Sequence, residues 1–292
     1  MTGHLIHIGY PKAGSNFLRR WFAGHPQLAY VEGGIAGFRS VYDVVTEGAK
    51  PRPGIRCRVT SSEGLSAPHP DSGSLGIDYN PGYDFDAAQT EVCERLAALF
   101  GSAQVLIVTR GFRSMILSSF SQYARTGGDI PFEEQLATGR FESAPWNYDA
   151  LIARYAKAFG EQNVIVLPWE LLRDDAAAFT RVLEERLGLD HFAGSPARLN
   201  PSLSPVELYW YPRLTRRLRA LPIGPRLRAL YVRGAFRNRF RWPIAVLQRL
   251  RPGAPVTADA IPDRVLETFR GKAESLRANP LYAPYARDYL HL

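Results

Sequence analysis

Residues Tyr10-Pro11-Lys12-Ala13-Gly14-Ser15-Asn16 set a lysine, a glycine and two short polar side chains between an apolar run, His4-Leu5-Ile6-His7-Ile8-Gly9, and a helix-like run from Phe17. The chemistry open to such a loop is anion binding. Backbone N–H groups at a helix start lack partners, and the helix dipole favours negative charge there. The N–H groups of Gly14, Ser15 and Asn16 can hold a phosphate. A Walker A loop carries its lysine directly after the second glycine. Here Gly9 and Gly14 keep the Walker separation, but Ser15 follows Gly14 and Lys12 precedes it. The charge therefore sits in mid-loop, where it can reach a group attached beyond that phosphate. An ordinary strand–turn–helix with an exposed lysine has the same composition, so a second half is needed.

Val105-Leu106-Ile107-Val108-Thr109-Arg110 supplies it, followed by the helix-like run Gly111-Phe112-Arg113-Ser114-Met115-Ile116-Leu117-Ser118. A continuous apolar run suits a central parallel strand. A Walker B strand would end in an aspartate that holds Mg²⁺. This one ends in Arg110, whose planar fork suits a phosphate monoester. Ser118 lies about two helical turns further on and can reach the same group.

Taken together, Lys12 within Pro-Lys-Ala-Gly-Ser and the Arg110/Ser118 pair resemble the sulfotransferases that use 3′-phosphoadenosine 5′-phosphosulfate (PAPS). The resemblance covers roughly residues 4–205 and includes a weaker third segment, Val164 to Asp174, with Trp169-Glu170-Leu171-Leu172. It implies that Pro11, Lys12, Ala13, Gly14, Ser15, Asn16 and Phe17 hold the 5′-phosphosulfate, and that Arg110 and Ser118 hold the 3′-phosphate. It implies a P-loop-like α/β nucleotide-binding fold, adenosine 3′,5′-bisphosphate as product, and no metal. Two departures stand out. Gly111-Phe112 replaces an Asp-Pro common in the family, and Arg270-Gly271-Lys272, expected within a helix, matches a late nucleotide-covering loop only loosely.

Sulfuryl transfer needs a cation at the departing phosphate and a base for the acceptor. Lys12 suits the first task. Two acids are candidates for the second. Glu63, in Thr60-Ser61-Ser62-Glu63-Gly64, leaves the carboxyl end of an expected strand, where open α/β sheets bind ligands. Glu32 follows His25-Pro26 at nearly the spacing seen in the carbohydrate branch of the family. A carboxylate whose pKa is raised by partial burial suits the role. His69, between two prolines, is a weaker candidate; His4 and His7 alternate on a strand and read as core or sheet-edge residues. No Cys/His spacing reads as a zinc site.

These residues require a scaffold. Strand-like and helix-like runs alternate, which predicts an α/β fold with a parallel central sheet flanked by helices. Strands are expected at His4–Gly9, Leu28–Val31, Ile55–Thr60, Val105–Thr109 and from Val164. Helices are expected from Phe17, over Ile35–Val45, from Asp84 through Phe100 with Val92, Leu96 and Leu99 on one face, over Pro131–Ala137 with Phe132 inside, over Trp146–Phe159, and over Ala176–Leu187. Ser61–Tyr83 is rich in Ser, Gly, Pro and Asp and reads as a long, functional loop. That loop and Tyr123–Ala144 are expected to shape the acceptor pocket. The 46% of hydrophobic residues is enough for one sizeable core, and two cysteines do not make a disulfide framework. The first strand begins almost at Met1, with no leader pattern before it and no span of membrane length in the chain, so a cytoplasmic protein is expected.

The division expected is a core over 1–205 and a basic helical extension over 206–292. From Arg213 to Arg251 there are twelve arginines and no acidic residue, interleaved with Leu, Tyr, Phe and Trp and broken by prolines. A plain helical cap with a solvated cationic face would have this pattern. So would a surface for anionic membrane or acidic glycan. Nucleic acid is the least expected partner, because no nucleic-acid motif accompanies the charge. The acceptor expected is a glycan, a lipid-linked group or a small hydroxylated molecule. Two other readings remain open at this level: a P-loop kinase or NTPase, and a non-catalytic module that binds anionic surfaces.

Overall fold

The computed structural model describes residues 3–48, 50, 52–68, 83–194, 203–222, 224–236 and 241–290. Five strands, β1 (Gly3–His7), β2 (Leu28–Tyr30), β3 (Cys57–Ser61), β4 (Gln104–Thr109) and β5 (Val164–Pro168), form one sheet in the order β2-β3-β1-β4-β5. Every pairing is parallel; Leu5 stands opposite Val59 on one side and Gln104 on the other. From β1 the chain passes to β2 at one edge, returns to β3 between β2 and β1, and then crosses to β4 on the other side of β1. The C-terminal ends of β1 and β4 therefore flank the point where strand order reverses, the place where open α/β sheets leave a crevice.

The sheet is covered on both faces. Leu5, Ile6, Val105, Leu106, Ile107 and Val108 are fully buried, which is why these strands read as continuous apolar runs. The helices are α1 (Ser15–Gly24), α2 (Val41–Glu47), α3 (Phe85–Phe100), α4 (Phe112–Arg125), α5 (Phe132–Ala137), α6 (Tyr148–Phe159), α7 (Trp169–Asp174), α8 (Ala176–Leu187), α9 (Pro205–Ala220), α10 (Pro225–Phe236), α11 (Arg241–Leu250), α12 (Asp263–Glu267) and α13 (Ala286–Tyr289). Starts are chemically marked. Asp84, Asn147 and Asp175 each accept a backbone N–H three residues on, and Ser204 forms a capping box with Glu207. Among the described residues no helix is long and apolar enough to cross a membrane.

Several local expectations shift. Ile35–Arg39 is a tight turn closed by an Ile35–Phe38 bridge, and the helix begins only after Ser40 caps it. On α3 the buried face is Phe85, Gln89, Cys93 and Leu96, whereas Leu99 is exposed. Burial of Gln89 is permitted because its amide donates to the Ser66 and Pro145 carbonyls. Arg270-Gly271-Lys272 is a turn after α12, with Gly271 at φ 74°. Most of the Ser61–Tyr83 loop, His69 included, lies outside the described residues.

The C-terminal segment returns to the core. Phe112, at the start of α4, is stacked between Tyr148 (4.9 Å) and Phe269 (4.8 Å), and Tyr282 and Tyr289 meet the Thr109 hydroxyl at 2.7 and 3.2 Å.

Candidate active site

The loop after β1 turns sharply. Ala13 N–H donates to the Tyr10 carbonyl, Lys12 is held at φ 72°, and Gly14 caps α1 at φ 92°. Gly14 meets two demands at once. A left-handed backbone disfavours a side chain, and a Cβ there would lie 2.6 Å from Leu172 Cδ2 and 3.2 Å from the Trp169 ring. Among the described residues, the N–H groups of Gly14, Ser15 and Asn16 have no acceptor. They open the ten-residue helix α1 and are available to an anion. Pro11, Lys12 and Phe17 are half-buried, Ala13 and Ser15 are buried, and Asn16 is exposed. His7 lies beneath the loop, paired through Nδ1 with Ser61, and burial and Arg19 lower its pKa to about 3. His4 pairs with Thr60, its pKa lowered by burial to about 4, so both histidines are neutral at ordinary pH.

Because β1 and β4 are neighbours, Arg110 arrives beside this loop. Its Nη1 donates to the Lys12 carbonyl at 2.7 Å, its Nε donates to Ser114 Oγ at 2.9 Å, and the guanidinium lies 3.7 Å over the Trp169 ring. Burial lowers its pKa to about 10, which leaves it cationic at neutral pH. The bond to the Lys12 carbonyl also holds a non-glycine residue in the left-handed region, a conformation that costs of order 1–3 kcal/mol.

The backbone after Arg110 is fixed from behind. Gly111 N–H donates to Glu170 Oε1 (3.0 Å), Tyr289 donates to Glu170 Oε2 (2.6 Å), and Tyr148 donates to the Arg110 carbonyl (2.5 Å). A Cβ on Gly111 would lie 2.4 Å from Asp288 Cβ. The glycine that departs from the family's Asp-Pro is thus required by the C-terminal segment packed against it. Ser118 Oγ is buried and has no hydrogen-bond partner among the described residues.

Lys12 reaches toward α4, where Nζ donates to Gln122 Oε1 at 3.4 Å. Burial lowers its pKa to about 8, helped by Arg125 and Arg110, while Glu63 acts in the opposite direction. Glu63 itself is raised by burial, against the pull of Arg19, Ser15 and Lys12. Arg19 Nη2 donates to Glu63 Oε1 (2.6 Å) and Asn16 Oδ1 (3.0 Å), and its Nη1 lies 3.6 Å from Glu32. One arginine therefore ties both candidate acids to α1, but unequally. The Glu63 side chain is 23% exposed and that of Glu32 78%.

The structure adds residues that the sequence motifs did not single out. Ser114, Gln122 and Arg125 join Ser118 at helical spacing along α4, a polar stripe on a helix that otherwise packs inward. That periodicity was available in the sequence. Trp169 and Glu170, in the weaker third segment of the resemblance, support Arg110 and Gly111 directly. Arg19 and Tyr289 carried no local signal.

No family model matches the chain, and no curated protein matches it. Among solved structures, the chain is similar to a sulfotransferase from Alicyclobacillus acidocaldarius, with 19% identity and a TM-score of 0.46 over 69% of this chain and 87% of that one. It is also similar to mouse sulfotransferase SULT7A1 complexed with PAP, with 12% identity and a TM-score of 0.36 over 73% of this chain and 64% of that one.

Proposed function

We propose that this protein is a PAPS-dependent sulfotransferase, moving a sulfuryl group to a hydroxyl or amine of an acceptor. The observation that carries the reading is the hydrogen bond from Arg110 Nη1 to the Lys12 carbonyl at 2.7 Å. It supports a single anion-binding site built from two separate loops, with a cation at each end and no strand-end aspartate. In this reading the N–H groups of Gly14, Ser15 and Asn16 hold the 5′-phosphate, within a loop shaped by Pro11, Ala13 and Phe17. Arg110 and Ser118 hold the 3′-phosphate.

The chemistry follows from the charges. The acceptor oxygen or nitrogen attacks sulfur in line and gives its proton to a carboxylate. The bond from sulfur to the bridging oxygen breaks, and that oxygen leaves as part of the 5′-phosphate of adenosine 3′,5′-bisphosphate. Lys12 neutralises the charge that grows on the departing oxygen. A preorganised donor in this position is worth about 3–4 kcal/mol of transition-state stabilisation. We assign Glu63 as the base in preference to Glu32. It is the less exposed acid, it faces Lys12 electrostatically, and its raised pKa makes it the stronger proton acceptor. A glycan or lipid-linked hydroxyl is the favoured acceptor, and the cytoplasm the favoured compartment.

Thermal shift provides the direct test. Adenosine 3′,5′-bisphosphate should raise the melting temperature more than ADP does, with no requirement for Mg²⁺. Equal stabilisation by ADP, or dependence on Mg²⁺, would move the protein to the kinase or NTPase reading. Transfer of labelled sulfate from PAPS to a panel of lipids, glycans and phenols then identifies the acceptor, with Lys12→Ala as the inactive control.

A further inference from the structure

We propose that the outward faces of α10 and α11 form a docking surface for an anionic lipid bilayer. The arginine-rich stretch is not uniform in the folded protein. On α9, Arg213 pairs with Glu133, Arg216 grips Glu134 through two bonds of 2.9 and 2.6 Å, and Arg219 bonds Asp129 at 2.7 Å. Arg241 sits 3.3 Å from buried Glu207. These cations fasten helices to the core, and their charge is balanced.

The remainder differs. Arg226, Arg233, Arg249 and Arg251 are exposed, and none forms an ion pair among the described residues. No acidic residue occurs between Glu207 and Asp259. Large apolar side chains stand exposed among these arginines: Leu227 (59%), Leu230 (61%), Trp242 (76%) and Leu250 (74%). Their helices already pack with other residues. Tyr231 on α10 bonds the Tyr211 carbonyl, and Val232 lies against Gly127. On α11, Ile244 is buried and Gln248 accepts from Trp210. The outward faces, Arg226-Leu227-Leu230-Arg233 and Trp242-Ala245-Arg249-Leu250, therefore carry leucine, tryptophan and arginine together.

This composition selects the partner. A soluble polyanion needs the arginines but gains nothing from exposed leucines. A bilayer interface uses both: guanidinium groups meet the headgroup phosphates, while Leu and Trp enter the acyl boundary. The inference does not depend on the transfer chemistry, and its test needs no donor.

The test is flotation of the full chain with phosphatidylcholine vesicles, with and without phosphatidylserine. Binding is expected only with phosphatidylserine, and it should weaken as salt rises. Arg226→Ala and Arg233→Ala should each lower the partition coefficient about fivefold. The double variant Trp242→Ser/Leu250→Ser should lower it at least about tenfold, with an unchanged melting temperature because both side chains are exposed. Brominated acyl chains should quench tryptophan emission of the unaltered protein, since Trp21, Trp146 and Trp210 are buried and Trp242 is not. Three results would overturn the proposal: no flotation with phosphatidylserine, no quenching by brominated lipid, or full binding by the double variant. The last, with tight binding to heparin, would mark the face as a polysaccharide site instead.

Discussion

At the scale of single residues, two opposed pKa shifts define the site. Burial moves the Lys12 ammonium down to about 8 and the Glu63 carboxyl upward. In the proposed chemistry Glu63 must be ionised and Lys12 protonated. The profile of kcat/KM against pH should therefore be bell-shaped, its acid limb above the ordinary carboxylate range and its basic limb near 8. Glu63→Gln should remove the acid limb along with most of the turnover. Glu32→Gln should leave the shape of the profile unchanged, and a profile that follows Glu32 would reassign the base. Stability carries the same information with its own sign. The folded pKa of Lys12 lies below the 10.5 of the free side chain, so between about 8 and 10.5 the unfolded chain binds the extra proton. The contribution of Lys12 to stability therefore rises with pH through that window. Glu63 acts in the opposite sense: its contribution falls as pH rises from the free value toward its raised folded value.

At the scale of elements, the site depends on supports that approach from far along the chain. Glu170 at the start of α7 receives Gly111 N–H on one oxygen and the Tyr289 hydroxyl of α13 on the other. Tyr289→Phe leaves a buried carboxylate oxygen short of a donor. The expected loss of stability is about 1–3 kcal/mol, with weaker binding of adenosine 3′,5′-bisphosphate because Gly111 positions Arg110. Chemical denaturation and calorimetric titration measure the two effects. Lost stability with unchanged affinity would separate α13 from the site. This arrangement shows why legibility in the sequence was uneven. β1, β4, the Lys12 loop and Arg110 announce themselves through local pattern, since apolar runs, glycine and cations lie within a few residues of each other. The Asp84, Asn147 and Asp175 caps are equally local. Tyr289 meets Glu170 across 119 residues and Arg110 meets Lys12 across 98, contacts that no periodicity encodes. The misplaced Ile35–Val45 helix and the outward Leu99 have a related cause. A turn bridge and a buried, fully bonded Gln89 outweighed the apolar pattern.

At the scale of the whole molecule, the chain closes on itself. The sheet is complete by Pro168, yet the face of α4 that presents Phe112 is finished only by Phe269, and the Thr109 end of β4 only by Tyr282 and Tyr289. Helix α9 is fastened to the segment after α4 by Arg216–Glu134 and Arg219–Asp129. Exposed ion pairs contribute little individually, but the aromatic contacts are buried, and each large ring removed from water is worth roughly 1.5–3 kcal/mol. The change of composition near residue 205 is thus crossed by packing, because residues beyond it pack on elements before it. Unfolding followed by far-ultraviolet circular dichroism and by tryptophan fluorescence should then give one coincident transition. Trp21, Trp146 and Trp169 report on the sheet side, and Trp210 and Trp242 on the basic helices. Two resolved transitions, with the fluorescence of a Trp210→Phe/Trp242→Phe variant following only the later one, would mean that the basic helices fold as a separate unit.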